Sequence, residues 1–270
     1  MQRFKLYQVD AFTDKLFSGN PAAVCILDKW LSDDLMQSIG NENNLAETSF
    51  IVPNGQNFEI RWFTPTVEVD LCGHATLASA FVLFNMLAHP ASVIKFHSPR
   101  SGMLTVEKKD DLLFLDFPSD TLELIPIAIG SGEQNSTIEK CIGVKPIELY
   151  KGKTDYLAVI DSEYSLQHLQ PDFKEVSKLN ARGLIVTAKG DSVDFVSRFF
   201  APQSGIDEDP VTGSAHTSLI PYWSKRLGKT KLVANQLSKR GGQLLCEFKN
   251  ERCIIGGKAR LYLTGEINLD

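Results

Sequence analysis

Basic clusters are scarce in this chain of 270 residues. No run of Lys or Arg exceeds two, and 28 basic against 33 acidic residues leave a formal net charge of −5. Such a balance gives no bulk electrostatic hold on nucleic acid or on an anionic membrane. Cysteine is sparse as well: Cys25, Cys72, Cys141, Cys246 and Cys253 make an odd count with no CxxC pair. That speaks against a disulfide framework and a structural zinc site, and for a reducing, cytoplasmic setting. Long apolar runs are missing too. Residues 71–94 carry no Asp, Glu, Lys or Arg, but their apolar part, 75–88, is 14 residues long and holds Thr76, Ser79 and Asn85. A membrane span needs about 20 residues, so this segment reads as a helix buried in protein. The start, MQRFKLYQVDAF, has charges in its first five residues and no apolar core, so it does not read as a signal peptide. Gly130-Ser131-Gly132 lacks the third glycine of a dinucleotide loop, no GxxxxGK[ST] occurs, and none of the five histidines sits in HExxH. Cofactor-binding and metal-binding signatures are therefore absent, and neither a cofactor nor a metal is expected.

What remains is a pattern of short strands, few helices and an internal echo. Segments 4–12, 22–27, 47–52, 58–63, 93–96, 102–108 and 112–117 read as strands, with helices after Ser32 and after Gly73. Strands at 147–150, 156–160, 183–188 and 193–200, and a helix starting at Ser214, follow in the second half. Arg61-Trp62-Phe63-Thr64-Pro65 matches Arg198-Phe199-Phe200-Ala201-Pro202 at an offset of 137. Continued without a gap, that offset sets Cys72 against Asp209. The strand at Glu47 lies against that at Arg182 with offset 135, and Gly73-His74-Ala75 lies against Gly213-Ser214-Ala215 with offset 140. The three extra residues are placed at 210–212. Three matches in one order, at offsets near half the chain, argue for a duplicated unit. The division expected is 1–118 and 119–270, with the last strand free to return to the first domain.

Each half runs a loop into a helix start, at Gly73 and at Gly213. Unpaired N–H groups and the helix dipole favour an anion there without any lysine. Ser214 is also a plain N-cap candidate. Glu47 follows Asn44-Leu45-Ala46 and opens an apolar strand. It is a general acid/base candidate, or a surface charge at a strand start. His74 is next to Gly73, where the helix field disfavours the imidazolium and keeps a neutral ring; the plain alternative is a structural histidine. Asp209 lies in Asp207-Glu208-Asp209-Pro210, acid/base or turn residue. Cys72 sits where a thiolate would be stabilised, but a two-thiol racemase needs a second cysteine and its counterpart is read as Asp209. A small buried residue is the better reading.

Val9-Asp10-Ala11-Phe12-Thr13, Gly19-Asn20-Pro21-Ala22, Glu47-Thr48-Ser49-Phe50, Arg61 to Pro65, Leu71-Cys72-Gly73-His74-Ala75-Thr76 and Glu208-Asp209-Pro210-Val211-Thr212-Gly213-Ser214-Ala215 together resemble the PhzF-like isomerases of phenazine biosynthesis. The resemblance runs from residue 9 to about 216. It implies an α+β, diaminopimelate-epimerase-like fold: two pseudo-repeat domains, each a β-barrel-like mixed sheet around a central helix, with the active site between the halves. It implies a cofactor-free, commonly homodimeric isomerase acting on a small anionic metabolite. In that family the catalytic glutamate matches Glu47, and other site residues match His74, Asp209 and Ser214, with Gly73 and Gly213 offering backbone N–H groups to the substrate carboxylate. The family's prototype substrate is trans-2,3-dihydro-3-hydroxyanthranilate. Two alternatives stay open: an amino-acid epimerase or racemase of the same fold, and a non-catalytic ligand-binding or scaffold member.

Overall fold

The first ten-residue strand, β1 (Gln2–Ala11), pairs antiparallel with β2 (Asn20–Ile26), from Leu6↔Cys25 to Ala11↔Asn20. Gly19 makes the return possible. Its φ is +68°, and a Cβ there would lie 2.2 Å from the Ala11 carbonyl oxygen. The computed structural model describes residues 2–126 and 133–269, so Gly130-Ser131-Gly132 lies outside the described residues. The chain forms two compact units, Met1–Phe117 with Ile254–Asp270, and Pro118–Cys253. No helix among the described residues is long and apolar enough to cross a membrane.

In the first unit α1 (Asp33–Asn43) starts after Ser32 and stops at Asn44, which takes the left-handed conformation at φ 49°. Its buried face is Met36, Ile39 and Gly40, packed with Phe4, Phe50 and Phe63; Leu31 and Leu35 pack at the margin. Next come β3 (Glu47–Asn54), β4 (Asn57–Phe63) and the two-residue β5 (Glu68–Val69). The helix α2 (Gly73–Phe81) is buried from Gly73 to Ala80. Its hydroxyls are satisfied locally: Thr76 Oγ1 donates to the Cys72 carbonyl (2.6 Å), and Ser79 Oγ to that of Ala75 (2.8 Å). A wider π turn, Val82–Met86, carries the helix on, with Leu87 N–H donating to the Val82 carbonyl (3.1 Å). The charge-free segment is thus the central helix of this unit. The strands β6 (Val93–Ser98), β7 (Gly102–Lys109) and β8 (Leu112–Pro118) then alternate buried and exposed side chains. The C-terminal strand Ala259–Leu269 runs antiparallel to β1 along its whole length.

The second unit holds β9 (Glu123–Ile125), α3 (Glu133–Ile142), β10 (Glu148–Lys151), β11 (Asp155–Val159), the short helices α4 (Glu163–Gln167) and α5 (Phe173–Val176), β12 (Gly183–Lys189), β13 (Phe195–Ala201), β14 (Ile206–Glu208), α6 (Gly213–Leu227), β15 (Lys231–Gln236) and β16 (Gly242–Lys249). Its ladder order repeats the first. β1–β2, β2–β3, β3–β4, β4–β6 and β6–β7 run antiparallel, parallel, antiparallel, parallel, antiparallel. The chain β10–β11, β11–β12, β12–β13, β13–β15 and β15–β16 does the same. Both units are mixed sheets with a buried helix.

The ladders correct two of the expected correspondences. Thr48 pairs with Phe63, and Leu184 with Phe200, so β3 and β12 differ by 136 and the counterpart of Glu47 is Gly183, not Arg182. Short apolar strands look alike at neighbouring registers; the hydrogen-bond ladder does not. Phe63 also pairs with Glu68, and Phe200 with Glu208, so the three extra residues fall before Glu208, in the helical turn Pro202–Ser204 and Gly205. The counterpart of Cys72 is therefore Thr212, and each caps its helix. Ser214 is the second helical residue of α6 rather than its cap.

Candidate active site

The loop before each buried helix is clamped by the arginine–aromatic motif. Arg61 makes a bidentate pair with Glu68 (2.7 and 2.8 Å), and Arg198 does so with Glu208 (2.7 and 2.9 Å). Each guanidinium also lies over the phenylalanine two residues on, 5.2 Å from Phe63 and 5.0 Å from Phe200. The motif that reveals the duplication is thus structural: it fixes where α2 and α6 begin.

In the first unit that placement brings three reactive groups together. Glu47, the first residue of β3, sets Oε2 3.1 Å from His74 Nε2 at the second position of α2. Both atoms are buried, and neither has a directed hydrogen bond. The two face each other off-axis, at ion-pair distance. On the far side of the ring, His74 Nδ1 lies 3.1 Å from Asn20 Nδ2 and 3.5 Å from Cys72 Sγ. The imidazole thus bridges a carboxylate and a thiol. In the neutral ring the Asn20 amide donates to Nδ1 and leaves the proton on Nε2, facing Glu47; in the imidazolium both nitrogens carry a proton.

Electrostatics reverse one expectation here. Burial acts to lower the His74 pKa, but negative charge on Cys72 and Glu47 outweighs it and raises the pKa well above 6.5. Burial, then the Glu47 carboxylate, pushes the Cys72 thiol up to about 11, so it is protonated at neutral pH. Glu47 is therefore the charge that acts on His74 there. The helix field was expected to keep this ring neutral; a carboxylate 3.1 Å away is the stronger influence.

The second unit carries a different set. Asp209 donates its backbone N–H to the Phe199 carbonyl (3.1 Å), and its Oδ2 accepts from Thr212 Oγ1 (2.5 Å). Buried Gln236 ties the same turn: its Oε1 accepts from Thr212 N–H (2.8 Å), and its Nε2 donates to the Asp209 carbonyl (2.8 Å). Ser214 Oγ accepts from Arg182 Nη1 (3.0 Å). The rest of that guanidinium is held bidentately by buried Asp155 (2.9 and 2.5 Å). A cation thus stands at the start of α6, although the sequence shows no basic cluster there.

Asn20, Arg182, Asp155 and Gln236 were not singled out from sequence as site residues. Only Asn20 had a signal, its place in the Gly-Asn-Pro-Ala motif. Asp155 and Arg182 are 27 residues apart, and only the parallel pairing of β11 with β12 brings them together.

Comparison with known proteins agrees with this architecture. The family model described as phenazine biosynthesis-like protein matches residues 9–266. The chain is 49% identical over 264 residues to an uncharacterized isomerase of Pseudomonas aeruginosa, covering 98% of each. It is similar to a crystal structure of a phenazine biosynthesis PhzF-family protein from Enterococcus faecalis, at 50% identity and TM-score 0.94, covering 99% of this chain and 100% of that one. A hydroxyproline epimerase from Agrobacterium vitis, solved with bound trans-4-hydroxy-L-proline, shares the fold at TM-score 0.62 and 11% identity, covering 99% and 93%. A family-model match of this length, with relatives near half identical along the whole chain, makes the chain a member of the phenazine biosynthesis-like (PhzF) family.

Proposed function

We propose that this protein is a cofactor-independent isomerase that moves a proton between carbons of a small, cyclic, carboxylate- or amino-acid-like substrate. The observation that carries the reading is the buried pair of Glu47 Oε2 and His74 Nε2, 3.1 Å apart with no other directed hydrogen bond. A lone pair held close to a cation, yet not committed to it, suits a base that must take a proton and return it. Glu47 removes a proton from a carbon acidified by adjacent unsaturation and delivers it to another carbon on the same face. His74, charged beside the carboxylate, donates to the oxygen or nitrogen on which electron density collects, and Asp209 positions or relays a proton. Ser214, with Arg182 on its hydroxyl, and the N–H groups at Gly73 and Gly213 hold the substrate carboxylate. The family's dihydro-hydroxyanthranilate is the first compound to try, and light scattering tests the homodimer that the resemblance implies.

Single-carbon epimerisation with Cys72 as a base is the weaker reading. The thiol is protonated at neutral pH, and its counterpart Thr212 supplies no second thiol. Deuterium incorporation from solvent into candidate cyclic amino acids, followed by mass spectrometry, separates the two. Glu47→Gln should cut exchange by about 10²–10⁴-fold, and Cys72→Ala should leave it within a few-fold. Wild-type exchange in Glu47→Gln would remove Glu47 from the mechanism.

A further inference from the structure

We propose that Glu47, Cys72 and His74 form a binding site for a thiophilic divalent cation of the zinc class, and that its occupancy shuts the acid/base site. Among the described residues this is the one group of three such side chains whose donor atoms, one from each, all lie within 4.8 Å of one another. A tetrahedral zinc-type ion, bonded at about 2.0–2.3 Å, needs donors roughly 3.3–3.8 Å apart. The 3.1 Å contact joins Glu47 to His74 Nε2 and the 3.5 Å contact joins Cys72 to Nδ1, so an ion uses one of these nitrogens, and the donor set built on that nitrogen lies within 4.8 Å. Closing the remaining side takes about an ångström of side-chain movement on that geometry.

Four further points support the site. Glu47 Oε2 and His74 Nε2 are buried without directed hydrogen bonds, so neither atom is tied to another partner, and Nε2 offers a lone pair once its proton is displaced. A carboxylate and a thiolate together cancel a charge of +2, and the imidazole ligates as a neutral base, so the filled site buries no net charge. The sulfur, nitrogen and oxygen donor set favours zinc, cobalt or cadmium over magnesium or calcium, which want oxygen alone. Cys72 and His74 stand on the buried start of α2 and Glu47 on β3, so rigid elements supply all three.

Binding forms bonds from the metal to sulfur, nitrogen and oxygen and breaks the thiol S–H and one imidazolium N–H; both protons leave to buffer, and no electron is transferred. With its lone pair on the metal, Glu47 can no longer accept a substrate proton. The inhibitory half of the proposal therefore rests on Glu47 being the proton-transfer group, whereas the binding half does not.

The test is direct. Metal-free full-length protein is titrated with Zn²⁺ against a chromogenic chelator, with Co²⁺ absorption as a fingerprint of thiolate ligation and Mg²⁺ as the control. One ion per chain is expected, with a thiolate-to-cobalt charge-transfer band, and binding at least tenfold weaker in Cys72→Ser and in His74→Asn. Cys141→Ala should bind as wild type does, and circular dichroism checks that each variant is folded. Binding that survives both site variants, or no ion retained at micromolar concentration, overturns the site. Solvent exchange is measured separately, with and without Zn²⁺. Loss of exchange on loading, restored by chelation, supports the inhibitory half, and full exchange with zinc bound overturns it. Zinc binding with no exchange under any condition supports the cation site and counts against the isomerase reading. Exchange without zinc binding does the reverse.

Discussion

Mild acid should weaken the second unit through one buried histidine. His216 lies a turn into α6; its Nδ1 donates to the Thr212 carbonyl (2.8 Å), and its Nε2 is buried with no hydrogen-bond partner. Burial depresses its pKa from 6.5 to about 4, opposed only in part by the Thr212 carbonyl. Protonation would put a cation without a second acceptor inside the first turns of a helix, at the positive end of its dipole. The folded pKa is below the unfolded one, so the stabilisation is complete above pH 6.5 and is lost as pH falls toward 4. A shift of this size corresponds to about 3 kcal/mol in full, most of it gone by pH 4.5. The comparison is urea unfolding of wild type and His216→Asn at pH 7.5, 6.5, 5.5 and 4.5, since Asn keeps a donor for the Thr212 carbonyl. The variant is less stable at neutral pH because of the volume lost, but its stability should fall less on acidification. Ring proton resonances of His216 give the pKa itself. Parallel loss of stability in both proteins, or a measured pKa at or above 6, would show that burial does not govern this residue. The consequence reaches the candidate site, because Thr212 is both the acceptor for His216 and the donor to Asp209 Oδ2.

Three further outcomes are expected. His74 has its pKa raised in the fold, so its contribution to stability is complete below pH 6.5 and is lost as pH rises through the folded value; the margin of wild type over His74→Asn in urea unfolding should shrink toward alkaline pH. Gly183→Ala should cost roughly 1–3 kcal/mol, because the new Cβ would lie 2.5 Å from the Phe199 ring and 2.8 Å from the Phe200 carbonyl oxygen; an unchanged urea midpoint would mean that the strand shifts freely. Arg182→Gln should raise KM for a carboxylate substrate by about 10–100-fold with kcat little altered, the pattern of a lost charged hydrogen bond to bound substrate.

What was legible in the sequence was whatever local pattern encodes. The charge-free run announced the central helix because every residue from Gly73 to Ala80 faces protein, and the stiff arginine–aromatic motif announced the duplication because both copies do the same clamping. Glu47 and His74 were legible as candidates from their places at a strand start and a helix start, each with a plain structural alternative, and their roles came from the family resemblance. Register was not legible: Arg182 and Gly183 are both plausible opposite Glu47 until Leu184 is seen paired with Phe200. Nor was the upward pull on the His74 pKa, since the field of a helix start can be read from sequence but a carboxylate 3.1 Å away cannot. Arg182 stayed hidden for the same reason, its partners Asp155 and Ser214 lying 27 and 32 residues away along the chain.

The corrected correspondence bears on the chemistry. Duplication gives each unit the same strand start and the same helix start, so a two-base enzyme could have been built by placing an acid/base group on each. In the first unit the strand start is Glu47. In the second it is Gly183, where the Phe199 ring and the Phe200 carbonyl leave no room for a side chain. The helix caps diverge in the same sense, Cys72 in one and Thr212 in the other, and Thr212 is engaged with Asp209 and Gln236. The neighbouring Arg182 is cationic and locked to Asp155. On the function proposed above, the first unit holds the proton-transfer pair, and the second has no acid/base group at its strand start. That division favours one carboxylate that lifts and returns a proton on a single face over two opposed bases that invert one carbon. It predicts retention of the migrating label: with a substrate deuterated at the donor carbon, single-turnover product should carry part of that deuterium at the acceptor carbon. Complete washout, with solvent hydrogen alone at the new position, would count against direct return of the proton by one shielded carboxylate.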